Sequence, residues 1–216
     1  MAKYKLHCFG QSGNAYKVAA YLNAAGLDWE PVFVDFMNGA TRKPEWRAAT
    51  NVMGEAPVLD VNGRLMTQSG AILTWLADTT GKFAPANADD RYEALRWVLF
   101  DNHKFTSYLA TYRFNRAFVP KPDAAVVEFF RARFDSALKI LDQHLTGRDF
   151  VVGKTPTYAD YSLAGYLFYP VEETGFDFAS LKGVGPWRAR LQAMPGFKGP
   201  YDCMPGPRIP ALPWPR

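Results

Sequence analysis

The sequence predicts an α/β domain followed by an all-helical domain. Three observations predict it. Ahead of residue 82 the chain reads strand, helix, strand, loop, strand, strand, helix. After residue 88 its apolar residues recur only at helical spacing. The composition is 48% hydrophobic and 15% aromatic over 216 residues, which suits a globular chain with a sizeable core and excludes a disordered one.

The elements follow in order. Tyr4 to Phe9 alternates and is β-prone, so it reads as the first strand. Residues 11–14 form a turn, and Ala15 to Ala25 is a helix with Val18, Leu22 and Ala25 on one face and Gly26 placed to end it. Trp29 to Phe36 is a second strand, followed by a long loop marked by Asn38, Gly39 and Pro44. Ala56 to Val61 and Arg64 to Thr67 are the next strands, joined by the hairpin signal Asn62-Gly63. Residues 68–70 lead into a helix from about Ala71 to Asp78. After a linker at 82–88, helices are expected from Asp89 to about Phe118 and from Asp123 to Leu145. Two more are expected from Thr157 to about Tyr169 and from Trp187 to Met194, the last with Pro186 in its first turn. The domains are therefore expected at 1–81 and 89–216.

Composition narrows the function. Cys8 and Cys203 form no CxxC pair, and His7, His103 and His144 are far apart in sequence, so neither a disulfide scaffold nor a metal site is expected. The opening residues lack an apolar stretch of signal-peptide length, and no window is a membrane span, so a cytoplasmic location without membrane partners is expected. Basic and acidic groups balance over residues 1–80. From residue 182 onward Lys182, Arg188, Arg190, Lys198, Arg208 and Arg216 face only Asp202, and half of all prolines fall between Pro186 and Pro215. These charges are scattered singly, which fits a solvated extension over about 200–216 and not a nucleic-acid surface.

Four places offer chemistry. A proline opening a strand, at Ala56-Pro57, fits either a trans edge position or a cis bond that presents the Ala56 backbone to an extended peptide. Ser69, ahead of an apolar helix, fits a plain N-cap or a carboxylate held at a positive helix end. Ser12 and Asn14 fit capping, or donation to a thiolate at the N-terminus of the first helix. Neither is a credible nucleophile without an adjacent base. Thr157 and Asp160 match a capping box.

Five segments together carry a family pattern: 12–18 (SGNAYKV), 51–59 (NVMGEAPVL), 65–76 (LMTQSGAILTWL), 150–153 (FVVG) and 156–160 (PTYAD). In this order, across a break near residue 82, the chain resembles the soluble glutathione transferase family, in its bacterial branches, over nearly its whole length. The resemblance implies a thioredoxin-like βαβ-ββα domain with cis-Pro57, then the family's all-helical domain. It implies a homodimer that activates glutathione as a thiolate and adds it to a small hydrophobic electrophile, with no metal. Ser12, with Asn14, stands where serine-type members steady the thiolate. Gln68 and Ser69 would hold the γ-glutamyl end, and the segment Glu55, Ala56 and Pro57 the cysteinyl part, with the Glu55 charge working against binding. Arg42 or Lys43 would meet the glycyl carboxylate, and Asp101 would reach the partner subunit's glutathione. Phe105, Tyr108 and Tyr112 would line the second-substrate pocket.

The chain departs from the cysteine-type and tyrosine-type branches. Ala15 and Tyr16 stand where cysteine-type branches keep their nucleophile, and Tyr4 comes too early for a tyrosine-type role. The resemblance leaves open a non-catalytic binding protein, and a glutathione-dependent isomerase, dehalogenase or peroxidase on the same fold.

Overall fold

A computed structural model describes residues 2–214. The N-terminal domain is a four-stranded mixed sheet with helices. Its strands are β1 (Tyr4–Cys8), β2 (Trp29–Phe33), β3 (Val58–Val61) and β4 (Arg64–Thr67), in spatial order β2-β1-β3-β4. β1 runs parallel to β2 and antiparallel to β3, and β3 and β4 form an antiparallel hairpin. The strand pair needs a tight turn, and Asn62 and Gly63 supply it with positive φ values of 53° and 89°. The second strand stops at Phe33, short of the expected Phe36, and tolerates Pro31 because β2 is an edge. The third begins at Val58, since the Ala56–Pro57 bond is cis and precedes the ladder.

Helix α1 (Gly13–Ala24) packs against the sheet behind a Ser12 N-cap, and Ser12 Oγ accepts from Ala15 N at 3.1 Å. The expected loop after β2 carries a 3₁₀ turn at Ala40–Arg42 and the short helix α2 (Pro44–Ala49), which periodicity does not reveal because α2 buries no face. Helix α3 (Ser69–Thr80) begins at Ser69, with Gln68 in a positive-φ conformation before it.

The helical domain holds α4 (Ala88–Phe100), α5 (Thr106–Phe118), α6 (Ala124–Leu145), α7 (Tyr158–Ala164), α8 (Val171–Thr174), α9 (Val184–Gln192) and α10 (Pro200–Cys203). The expected single helix from Asp89 to Phe118 is interrupted by a π turn at Asp101–Phe105. The expected helix to Tyr169 leaves α-geometry after Ala164. Asp160 closes the capping box and does more. Its buried carboxylate accepts from Thr157 N at 2.7 Å, Val151 N at 2.9 Å and Trp187 Nε1 at 2.8 Å, tying α7, the loop before it and α9 together.

A buried polar cluster joins the domains. Lys17 of α1 pairs with Asp101 at 2.6 Å, and Asp101 also accepts from Thr106 Oγ1 and Ser162 Oγ at 2.6 Å each. Close approach of α1 to the turn after α7 requires small residues there. A β-carbon on Gly165 would stand 2.7 Å from Gly13 O and 2.6 Å from Lys17 Cγ.

The proline-rich tail straps back over both domains. Pro205 O accepts from Gly10 N at 2.9 Å, Pro207 O from Gln11 Nε2 at 2.6 Å, and Leu212 N donates to Ala117 O at 2.8 Å. Two of the residues expected in the extension, Pro215 and Arg216, lie outside the described residues.

Candidate active site

A cleft of about 470 Å³ lies between the domains. One wall comes from loops and helix starts of the N-terminal domain: Ser12, Asn14, Glu55, Ala56, Pro57, Gln68 and Ser69. The fold brings these residues together because three chain turns end on the same side of the sheet. They are the β1–α1 turn, the segment before β3, and the β4–α3 turn.

Each group is held. Ser12 is buried and its oxygen accepts from Ala15 N, which leaves its hydrogen free to donate. Ser69 Oγ stands 3.5 Å from Asn14 Oδ1, so the first turns of α1 and α3 meet. Gln68 Nε2 donates to Glu55 Oε2 at 2.7 Å. Asn51 is buried and braces the loop, with Nδ2 donating to Glu55 O at 2.9 Å and Oδ1 accepting from Met53 N at 3.0 Å.

The other wall is the face of α5 bearing Thr106, Ala110, Phe114 and Phe118, spaced four apart, with Asn102, Arg113 and Tyr166 beside it. Across from it Phe9 and Phe36 stack with centroids 4.7 Å apart and planes at 7°. One half of the cleft is thus polar and the other aromatic.

Arg113 organises the back of the cleft. Its buried guanidinium donates to Glu173 and to Gln11 O at 2.8 Å, and lies 3.7 Å from the Tyr169 ring centroid. Burial works against its charge, but Tyr169 and Glu173 outweigh it and hold the guanidinium protonated. Tyr169 OH donates to Gly10 O at 2.7 Å. The backbone of Gly10 and Gln11, immediately before Ser12, is therefore fixed by the helical domain and the tail.

Several sequence expectations fall elsewhere. Asp101 is fully buried, and its carboxylate already serves Lys17, Thr106 and Ser162, so it does not present itself to a partner subunit. Phe105 of the π turn packs on Phe134, and Tyr108 and Tyr112 of α5 pack on Phe130 and Phe176, away from the cleft residues. Arg42 and Lys43 are exposed and do not line the cleft. The missed wall residues had a signal in the four-residue spacing of Thr106, Ala110, Phe114 and Phe118. Arg113 and Tyr166 had none, because their positions depend on long-range packing.

Both thiols are free and shielded from ready ionisation. Burial, with Cys203 nearby, pushes Cys8 up to about 12, and burial pushes Cys203 up to about 11. Among the described residues, no group of three His, Cys, Asp or Glu could hold a metal ion, and no helix is long and apolar enough to cross a membrane.

Residues 2–78 match the N-terminal domain of glutathione S-transferase, and residues 124–192 match its C-terminal domain. The chain belongs to the glutathione S-transferase family. It is 28% identical to glutathione S-transferase 3 of Zea mays over 98% of this chain and 99% of that protein. It is 34% identical to maleylacetoacetate isomerase of Rhizobium meliloti (strain 1021) over 76% of this chain and 79% of that protein. The crystal structure of a glutathione S-transferase from Pseudomonas fluorescens [Pf-5] superposes with a TM-score of 0.84 at 30% identity, covering 93% of this chain and 100% of that one. The fold is shared with the family member URE2P8 of Phanerochaete chrysosporium, solved with oxidized glutathione, at a TM-score of 0.82 and 24% identity over 94% and 95% of the chains.

Proposed function

We propose that this family member is a cytoplasmic glutathione transferase that binds glutathione along the polar half of the cleft and adds its sulfur to a small hydrophobic electrophile in the aromatic half. The observation that carries this reading is the meeting of Ser12, Asn14, Ala56 and Ser69 on one wall of a single cleft opposite Phe114 and Phe118. The Ala56 backbone pairs with the cysteinyl unit, as an added strand does. Ser69 and Gln68 take the γ-glutamyl carboxylate at the start of α3. Ser12 donates to the sulfur. The protein's own Cys8 and Cys203 thiols stay protonated, so the attacking atom comes from the co-substrate.

The energetic demand is modest. A free thiol with a pKa of about 8.5 is only about 3% ionised at pH 7. Bringing it to about 6.5 takes about 2.7 kcal/mol of preference for the thiolate. A hydroxyl bond and the positive end of α1 are each of the right size to share that load.

Immobilised glutathione retains the protein on this reading, and Ser12→Ala lowers the rate with a standard aryl halide at least tenfold. Absence of retention overturns it. Unchanged activity in Ser12→Ala moves thiolate stabilisation to another donor.

The protein works as a homodimer in this proposal. Tyr92, Leu95 and Leu99 form one exposed apolar stripe on α4, spaced as a helix face. Light scattering reports a dimer, and Leu99→Glu yields a monomer.

The resemblance to an isomerase favours one second reading, in which the thiolate adds to a double bond and is later expelled. Glutathione is then regenerated and not consumed, and stoichiometric loss of free thiol during turnover excludes it. Glu55 bonded to Gln68 favours a different outcome, weak glutathione binding in a non-catalytic carrier, which calorimetry distinguishes by an affinity weaker than millimolar.

A further inference from the structure

We propose that Tyr166, contributed by the helical domain, is a second catalytic hydroxyl, donating a hydrogen bond to the glutathione thiolate beside Ser12. This rests on the reading above that glutathione sulfur sits at the start of α1.

Position carries the proposal. Tyr166 lines the same cleft as Ser12 and Asn14, and it is 7% exposed. Its ring packs against the residue between them: a β-carbon on Gly13 would fall inside contact with three ring atoms of Tyr166. The ring is held from behind by Tyr169, with centroids 5.7 Å apart, and by the Arg113 guanidinium 5.7 Å from its centroid. The ring therefore sits against the N-terminus of α1 without freedom to swing away.

The donors at that helix end are already divided. Ala15 N is spent on Ser12 Oγ, and Tyr16 N on Ser12 O. The amides of Gly13 and Asn14 act on the Tyr166 phenol from that same helix end. A hydroxyl that lines the cleft beside Ser12 and Asn14 is placed to donate into it.

The proton inventory is simple. The thiol proton of glutathione leaves to solvent, and no covalent bond forms or breaks at Tyr166. Burial raises the phenol above its ordinary value, so the hydroxyl keeps its proton and acts only as a donor.

Tyr166→Phe keeps the ring over Gly13 and removes only the hydroxyl. The thiolate absorbance of glutathione bound to each protein is titrated, and turnover is measured across the same pH range. The expected result is a titration midpoint higher by about one pH unit, which is roughly tenfold less thiolate on the acid side. Turnover falls about fivefold at pH 6.5 and converges with wild type near pH 9, while KM for glutathione and the melting temperature change little. A merely structural role would not produce that pH-dependent convergence. Superimposable titrations of Tyr166→Phe and wild type overturn the proposal while leaving glutathione binding intact. Failure of the wild-type protein to bind glutathione overturns both readings.

Discussion

Lys17 Nζ stands 2.6 Å from Asp101 Oδ2, and neither side chain has any exposure. The two residues belong to different domains, so the contact is a rivet between them. Burial pulls the Lys17 ammonium below its ordinary value, and Asp101 opposes that pull. Removing one partner leaves a buried charge without compensation, which typically costs about 3–5 kcal/mol. Lys17→Met is expected to lose that much in urea denaturation. Lys17→Met combined with Asp101→Leu is expected to recover most of the loss. Equal destabilisation in the single and double variants would show that the pair is not the source of the effect.

Gly165→Ala tests the close packing of α1 against the turn after α7. The new methyl would meet the Gly13 carbonyl oxygen, a backbone atom that cannot step aside. Overpacking of this kind costs about 1–3 kcal/mol. A lower melting temperature and weaker retention on immobilised glutathione are expected together, because Gly13 precedes Asn14 on the cleft wall.

Truncation after Met204 removes the acceptors Pro205 O and Pro207 O and the Leu212 donor. The Gly10 amide then has no partner on the tail. Hydrogen exchange at Gly10 is expected to accelerate strongly while exchange at Leu6, within β1, stays slow. Unchanged protection at Gly10 would mean that the strap does not hold this turn.

Acid is expected to weaken the protein through His144 and His7. Burial lowers His144 below the ordinary imidazole value, although its Nε2 contact with Val151 O at 2.8 Å pulls the other way, and burial lowers His7 as well. A folded-state value below the unfolded one means the unfolded chain takes up the proton first. Stability is then complete above about pH 6.5 and declines as pH falls below it. Calorimetry should show the melting temperature dropping between about pH 7 and pH 5.5, with a smaller drop in His144→Gln.

Cys8 and Cys203 are expected to resist iodoacetamide at pH 8 in the native protein and to react in urea, because burial holds both thiols protonated. Mass spectrometry counts the adducts. Cys8→Ser is expected to retain glutathione-dependent turnover.

Much of this was legible in the sequence, for physical reasons. The Asn62-Gly63 turn, the α1 cap and the proline before β3 are local devices, and each leaves a local mark. The cleft's N-terminal wall came from the family resemblance, since by residue type alone Ser12 and Ser69 equally fit plain caps and Pro57 a trans edge position. The helical wall was misread at Phe105, Tyr108 and Tyr112. These aromatics were assigned to the pocket from the family resemblance, and a π turn at Asp101–Phe105 shifts the helix phase so that a different face of α5 lines the cleft. Asp101 was misplaced for a related reason. An acid on a long helix looks solvated until its partner, 84 positions away, is known. Arg113 and Tyr166 were silent because their partners Gln11 and Gly13 are equally remote in sequence.

The strap has a consequence for timing. Gln11 finds Pro207 across a sequence separation of 196 residues. During synthesis the N-terminal domain emerges and begins to fold first. The turn at Gly10 and Gln11 stays without its outer clamp until residues 205–207 have left the ribosome. A nascent chain lacking residues 205–212 carries the sheet and Ser12 but not the clamped turn, so the N-terminal wall of the cleft is completed only after most of the helical domain has been made.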